Sequence, residues 1–277
     1  MRAQNLAVCV PNKGCNKNCP YCVSKMTGYI DSNYGLMKRN IRKVITIAKQ
    51  ANVTSVLFTG KGEPLINKEE LYSLIWDFRE FPCELQTNGM VFYKENDVLS
   101  ELRIRGLDVL ALSLDSLSQF QIMREVTRQA NELGLIVRVT LNITNTIRND
   151  ITWKDLIEQC KAGNIRQLSL RRITIPTGTN PENVCAKWIE EHNGDELYDR
   201  LNDELYGKSL TFARKGIGRP IRNLPYGAVV YDVDGIAVTS FNYCVQDSHK
   251  DDGIRSLIFQ EDGHLYTTWN SPASMLF

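Results

Sequence analysis

The residues with the clearest chemical capacity are three closely spaced cysteines in the run Cys15-Asn16-Lys17-Asn18-Cys19-Pro20-Tyr21-Cys22. The spacing is C-x3-C-x2-C, with an aromatic side chain just before the last cysteine. Three thiolates on one short loop can hold three irons of a [4Fe–4S] cube and leave the fourth iron without a protein ligand. Electron-transfer clusters close that position with a fourth cysteine. An open position can instead take a small molecule, as catalytic metal centres do. Structural zinc is the alternative, and it wants four ligands in a closed site. Cys9 is near in sequence but lies in an apolar, strand-like run, and His192, His249 and His264 are all distant in sequence.

Composition bounds the setting. The chain has 277 residues, enough for one large α/β domain with an extension. Its net charge of +1 implies no broad nucleic-acid-binding surface. No apolar run reaches membrane-spanning length, and the first residues lack the apolar stretch and cleavage site of a signal peptide. Eight cysteines without framework spacing point to a reducing compartment, so a cytoplasmic location is expected.

The elements that must position these groups alternate along the chain. Apolar runs predict strands over 6–10, 55–58, 84–87, 109–114, 135–141 and 167–170. Amphipathic stretches between them predict helices over 36–51, 68–78, 96–105, 117–133 and 153–162. Six such repeats imply right-handed βαβ crossovers and a parallel sheet, with too few strands for a closed eight-fold barrel. In barrels of this kind chemistry belongs at the C-terminal strand ends. The motifs fall there: the cysteine loop after strand one, Thr59-Gly60-Lys61-Gly62-Glu63-Pro64 after strand two, Thr87-Asn88-Gly89 after strand three and Ser113-Leu114-Asp115 at the end of strand four. Period-two alternation turns Arg138, Thr140 and Asn142 of strand five inward, with Gln167, Ser169 and Arg171 of strand six, Ser113 and Asp115, and Gln86 and Asn88. So polar a lumen reads as a pocket for a polar ligand.

On these motifs the stretch 15–170 resembles the radical SAM superfamily. The resemblance implies an α/β fold, an open (β/α)6 partial TIM barrel. It implies one [4Fe–4S] cluster on Cys15, Cys19 and Cys22, whose open iron chelates S-adenosyl-L-methionine. An external one-electron donor such as flavodoxin or ferredoxin would supply the electron that releases a 5′-deoxyadenosyl radical. Gly60-Lys61-Gly62-Glu63-Pro64 departs from the commoner Gly-Gly-Glu-Pro by one residue and is similar to the form in radical SAM ribosomal-RNA adenine methylases. By that likeness Gly60, Gly62, Glu63 and Pro64 hold the cofactor's amino group, the glycines letting backbone approach a ligand closely. Ser113-Leu114-Asp115-Ser116-Leu117 is similar to the molybdenum-cofactor GTP cyclase and viperin branch, where this strand end meets the methionine or ribose. The same resemblance assigns Asn88 to the cofactor, Tyr21 to the adenine, and Asn142 or Ile143 to the adenosine. Arg124, or else Arg128, would pair with the cofactor carboxylate unless both are solvated helix arginines.

Past residue 170 the resemblance fades, and we divide the chain into a core over 1–172 and a substrate-capping α+β extension over 173–277. The stretch 181–206 looks helical. The basic run 214–222 is either a loop closing over a phosphate or carboxylate or a solvated surface. Turns at Asp234-Gly235 and Asp262-Gly263 predict two β-hairpins, expected to form one small antiparallel sheet that shuts the barrel. Cys9, Cys83 and Cys160 read as core residues. With no C-x2-C pair among the remaining cysteines, one cluster is expected. Cys244, in an irregular polar stretch, is a candidate hydrogen-atom donor. Arg138, Thr140, Asn142, Ser169 and Arg171 are assigned to the substrate side. The favoured substrate is a small anionic molecule such as a nucleotide, phosphorylated substrates included. A peptide-modifying maturase and a non-catalytic zinc- or cluster-binding module are the alternatives.

Overall fold

The computed structural model describes residues 1–277 except 96, 208–215, 225–227, 242–252 and 270. The elements run β1 (Arg2–Cys9), α1 (Val23–Thr27), α2 (Tyr34–Gln50), β2 (Val56–Thr59), α3 (Lys68–Phe78), β3 (Cys83–Thr87), α4 (Val98–Arg105), β4 (Val109–Leu114), α5 (Leu117–Ile122), α6 (Arg124–Glu132), β5 (Ile136–Ile143), α7 (Trp153–Ala162) and β6 (Gln167–Arg172). There follow α8 (Val184–His192), α9 (Asp195–Tyr206), β7 (Arg219–Asn223), β8 (Val229–Val233), β9 (Ile236–Phe241), β10 (Gly253–Phe259) and β11 (Leu265–Tyr266).

Strand alternation dictates the layering. Leu6, Val8, Phe58, Leu85, Leu112, Val139, Leu141, Leu168 and Leu170 point outward and join one apolar core with the helices, for example with Met37, Ile41, Val44 and Ala48 of α2. The alternate positions face the lumen, which is why the polar residues of β3 to β6 collect there. β1 to β6 pair in sequence order, all parallel.

The C-terminal hairpins form where the turns predicted them, but they extend the two edges of the main sheet and make no separate small sheet. β10 adds parallel to β1 at one edge and carries β11 antiparallel outside it. β9 adds parallel to β6 at the other edge, followed by β8 and β7. The sheet remains open, from β11 at one end to β7 at the other. Each edge of the six-stranded core exposes unpaired N–H and C=O groups, and each hairpin satisfies one edge.

Two long predicted helices are each broken. The stretch 117–133 divides at Met123 into α5 and α6, and 181–206 divides at Asn193–Gly194 into α8 and α9. The second break has a packing cause. A Cβ on Gly194 would lie 2.8 Å from backbone atoms of Thr144, so only glycine lets the chain cross the end of β5. α9 sends Leu197, Leu201 and Leu205 into the main core. Ile189 and Cys185 of α8 instead pack on Met26 of α1, with Tyr21 and Trp188 at the margin, so α8 braces the cysteine loop.

The basic run is a loop only up to Gly218 among its described residues. Arg214 and Lys215 lie outside the described residues, but Arg219–Asn223 is the outermost strand, β7, and Arg219 pairs with Asp232 of β8 at 2.7 Å. Among the described residues no helix is long and apolar enough to cross a membrane.

Candidate active site

The C-terminal ends of β1 to β6 surround a cavity of about 740 Å³. Cys15, Cys19, Tyr21 and Cys22 form part of its rim, together with Gly60, Gly62, Glu63, Pro64, Asn88, Ser113, Asp115, Asn142 and Arg171. Residues from six different strand ends are thus brought to one space.

Gly60 and Gly62 have a structural task that the sequence did not reveal. A Cβ on Gly62 would lie 2.2 Å from Asn12 Oδ1 and 2.3 Å from the Gly14 carbonyl oxygen, and one on Gly60 would lie 3.1 Å from the Val10 carbonyl oxygen. The backbone N–H of Glu63 donates to the Gly14 carbonyl at 3.0 Å. The glycines therefore let the loop after β2 lie against the base of the cysteine loop, rather than only opening backbone to a ligand. Glu261, beyond β10, supports the same base by accepting from the Asn12 backbone N–H at 2.7 Å and the Ser32 hydroxyl at 2.6 Å.

Glu63 is 5% exposed. One carboxylate oxygen accepts from the Leu65 N–H at 3.1 Å and the Thr87 hydroxyl at 2.6 Å, and the other accepts from the Asn88 N–H at 2.9 Å. Burial raises its pKa, opposed by the hydrogen bonds from Asn88, Thr87 and Leu65. Glu63 thereby ties the ends of β2 and β3 together. Asn88 continues the chain of contacts, its amide donating to Asn16 Oδ1 at 2.8 Å and reaching Cys15 Sγ at 3.9 Å. The Lys17 N–H points at the same sulfur from 3.5 Å.

Asp115, just past β4, receives the Lys17 ammonium, the Tyr21 hydroxyl and the Asn142 amide, the last at 3.1 Å. Its backbone N–H donates to the Gln119 side chain at 2.7 Å. Burial works to raise the Asp115 pKa, but hydrogen bonds from Lys17, Tyr21 and Asn142 bring it below the ordinary value. The Tyr21 phenol is held well above its ordinary range, first by burial and then by the Asp115 charge. Tyr21 also packs against Trp188 with ring centroids 5.7 Å apart, and Trp188 stacks flat on His192 at 4.4 Å.

Several assigned residues lie elsewhere. Arg124 is exposed at the start of α6 and does not line the cavity; α6 buries Val126, Thr127 and Ala130, and Arg124 falls on its solvent side. Arg128 is exposed too and is held by Glu125 and Glu132. Ile143 is buried in the outer core. Arg138 pairs with Glu84 across the lumen, Ser169 bonds Thr239 at 2.9 Å, and Thr140 is buried; these three face inward but form a closed polar floor instead of lining the cavity. Cys244 lies outside the described residues.

Other lining residues had no readable signal. Lys61, the residue inserted into the glycine motif, sends its ammonium to Thr27 Oγ1 at 2.7 Å, and burial lowers its pKa. No carboxylate pairs with Lys61 or Arg171 among the described residues. A further wall comes from Asn5 and Ala7 of β1, β10, and Thr267 to Trp269 after β11.

The donor set suits a cluster with an open iron. Three thiols share one cavity rim, while Cys9, Cys83 and Cys160 are fully buried in the strands and α7, and Cys185 is buried under α8. Among the described residues no group of three or more His, Cys, Asp or Glu is gathered as one metal ion would require.

Comparison with known proteins follows the same lines. The family model described as Radical SAM superfamily matches residues 9–186. A GTP 3′,8-cyclase of Clostridium acetobutylicum is 34% identical over 107 residues, covering 37% of this chain and 32% of that one. A probable GTP 3′,8-cyclase of Saccharolobus islandicus is 30% identical over 230 residues, covering 78% and 70%. Among solved structures, Streptococcus suis SuiB bound to S-adenosylmethionine aligns with a TM-score of 0.59 at 15% identity, covering 96% of this chain and 60% of that one. The same enzyme bound to the precursor peptide SuiA aligns with a TM-score of 0.57 at 14% identity. The chain therefore spans about a third of the clostridial relative and 60% of SuiB, and the likeness to SuiB is one of fold.

Proposed function

This chain belongs to the radical SAM superfamily, an enzyme family whose membership implies a [4Fe–4S] cluster and S-adenosylmethionine; on that premise we propose that it uses a single cluster, on Cys15, Cys19 and Cys22, to abstract hydrogen from a small anionic substrate. The observation that carries this reading is one cavity shared by the three thiols, the Glu63 tie, Asp115 with Asn142, and two cations, Lys61 and Arg171, that pair with no carboxylate among the described residues.

When bound, the cluster supplies the electron that cleaves S-adenosylmethionine and yields a hydrogen-abstracting 5′-deoxyadenosyl radical. The chain's own residues position and enclose. Glu63 and Asn88 fix the loop that meets the methionine end, and the N–H groups of Lys17 and Asn88 point at Cys15 Sγ, where such bonds tune a cluster. Asp115 and Asn142 face the adenosine end. Tyr21, backed by Trp188, covers the cysteine loop and limits water entry. Lys61 replaces Arg124 as the cation for the cofactor carboxylate, and Arg171 takes an anionic group of the substrate. The extension over 173–277 supplies one wall of the cavity, consistent with a capping role.

The cyclase relatives favour a nucleotide-like small molecule over a peptide, since they match by sequence whereas SuiB matches by fold. The test is anaerobic. Reduced, reconstituted protein is incubated with S-adenosylmethionine and a panel of nucleotides, sugar phosphates and short peptides, and 5′-deoxyadenosine is quantified. Substrate-dependent release is expected with an anionic small molecule. Release no greater than that of a variant with all three cluster cysteines changed to alanine would remove the proposal, and release with peptides alone would replace its substrate.

A further inference from the structure

Among the described residues, the lumen of this barrel is filled on one side and open on the other. Beneath β3 to β6 and β9, the inward layer is closed by its own contacts, Glu84 with Arg138 and Ser169 with Thr239. Beside β1 and β10 it is not. Asn5 and Ala7 of β1 face inward next to their register partners Ser256 and Ile258 of β10. With Leu57 of β2 and Trp269, all of them line the cavity. Alanine and serine at the centre of this wall leave a space where larger side chains would have filled it.

Three properties describe what this space would take. Its sides are apolar and in part aromatic, from Leu57, Ile258 and Trp269, which suits a flat group. The outer wall is preformed: the Thr267 N–H donates to the Ser274 carbonyl at 3.1 Å, and the Thr268 N–H and hydroxyl reach Ser274 Oγ at 3.2 and 3.0 Å. At its floor Asn5 has an amide oxygen that is buried and without a hydrogen-bond partner. Buried amide groups in native proteins are nearly always paired, so an amide left unpaired beside a cavity is available to a ligand. Arg255 of β10 also lines the cavity, but it already has a partner of its own and is not a free charge for the ligand.

We propose that this open side of the lumen holds the non-reacting end of the substrate, and that this end is a flat, uncharged group carrying an N–H or O–H donor for Asn5. The pocket's role as a substrate site rests on the radical-enzyme reading above; its ligand preference does not. The anionic part of the molecule is then left near Arg171, with the reacting carbon between the two ends.

Benzamide is a suitable probe, being flat and uncharged with N–H donors. Toluene lacks the donor, and benzoate exchanges it for a charge. Each is titrated by ligand-observed NMR into reconstituted protein with S-adenosylmethionine, against wild type, Asn5→Leu and Ser256→Val. Cofactor binding and melting temperature check that the variants fold. Benzamide is expected to bind about tenfold more tightly than toluene, the worth of one buried hydrogen bond. Asn5→Leu is expected to erase that difference, and Ser256→Val to weaken both probes. Equal binding of benzamide and toluene to wild type, insensitivity to both substitutions, or tightest binding of benzoate would each overturn the proposal. Failure of wild type to release 5′-deoxyadenosine with any substrate, while the probes behave as expected, would sink the enzymatic reading and leave the pocket standing.

Discussion

The ammonium of Lys17 and the carboxylate of Asp115, 98 residues apart in sequence, meet at the cavity rim and join the cysteine loop to the end of β4. Tyr21 from the same loop and Asn142 from β5 bond the same carboxylate. A loop whose cysteines must hold a cluster in one place is thus fixed from the far side by a charge, not by apolar packing alone. Lys17 and Asp115 retain about a fifth to a quarter of their side-chain exposure, so the pair is only partly desolvated.

Replacing Asp115 with alanine leaves the Lys17 ammonium and the Tyr21 hydroxyl without their partner. We expect a loss of about 2–3 kcal/mol in stability, the cost of stranding partly buried polar groups, together with reduced iron retention. Urea melts and iron analysis after gel filtration measure both. Unchanged iron content would mean that the clasp does not set the cysteine loop.

The same carboxylate predicts a pH dependence. Its folded pKa lies below the ordinary 3.8, so the unfolded chain binds more protons in acid. The stabilisation from Asp115 is complete above that ordinary value and is lost as pH falls through the folded one. Urea melts of cluster-free protein from about pH 6 to about pH 3 should show wild type losing more stability than Asp115→Asn, and parallel losses would contradict the assignment.

Gly62→Ala should be worse than Gly60→Ala. The added methyl at Gly62 would meet the Gly14 carbonyl at 2.3 Å, against 3.1 Å to the Val10 carbonyl at Gly60. We expect about 3 kcal/mol for the first and about 1 kcal/mol or less for the second. Thermal melts of the two variants give the order, and a reversed order would show that the two loops do not pack as described.

Lys61→Ala and Arg124→Ala separate two readings of the cofactor carboxylate. Calorimetry with S-adenosylmethionine should show affinity falling about tenfold in the first, the loss of one charge-assisted hydrogen bond, and unchanged in the second. The opposite pattern would restore Arg124 to the site.

Iron in wild type should saturate at about four per chain, and the triple alanine variant of Cys15, Cys19 and Cys22 should bind none. Cys244→Ala should leave the iron content at the wild-type level. About eight irons in wild type, falling in Cys244→Ala, would require a second cluster and favour the peptide-modifying reading.

Much of the core and part of the site could be read from local spacing. The cysteine loop is a motif within eight residues, and the strand–helix rhythm is a periodicity within a dozen. Alternation alone turned Asn142, Ser113 and Asp115 toward one lumen. Those features survive because each depends on residues close in sequence. What the tertiary structure decided depends on distant pairing. Nothing near Arg2 announces that it will run beside Gly253, yet that register puts Ser256 next to Asn5 on the cavity wall. The packing of Val126 and Ala130 into the core leaves Arg124 in solvent, and the Glu84–Arg138 pair converts an expected ligand surface into a floor. Period and spacing say which face a side chain takes. Only the assembled sheet says whether the facing side chains consume one another's bonds or leave them for a ligand.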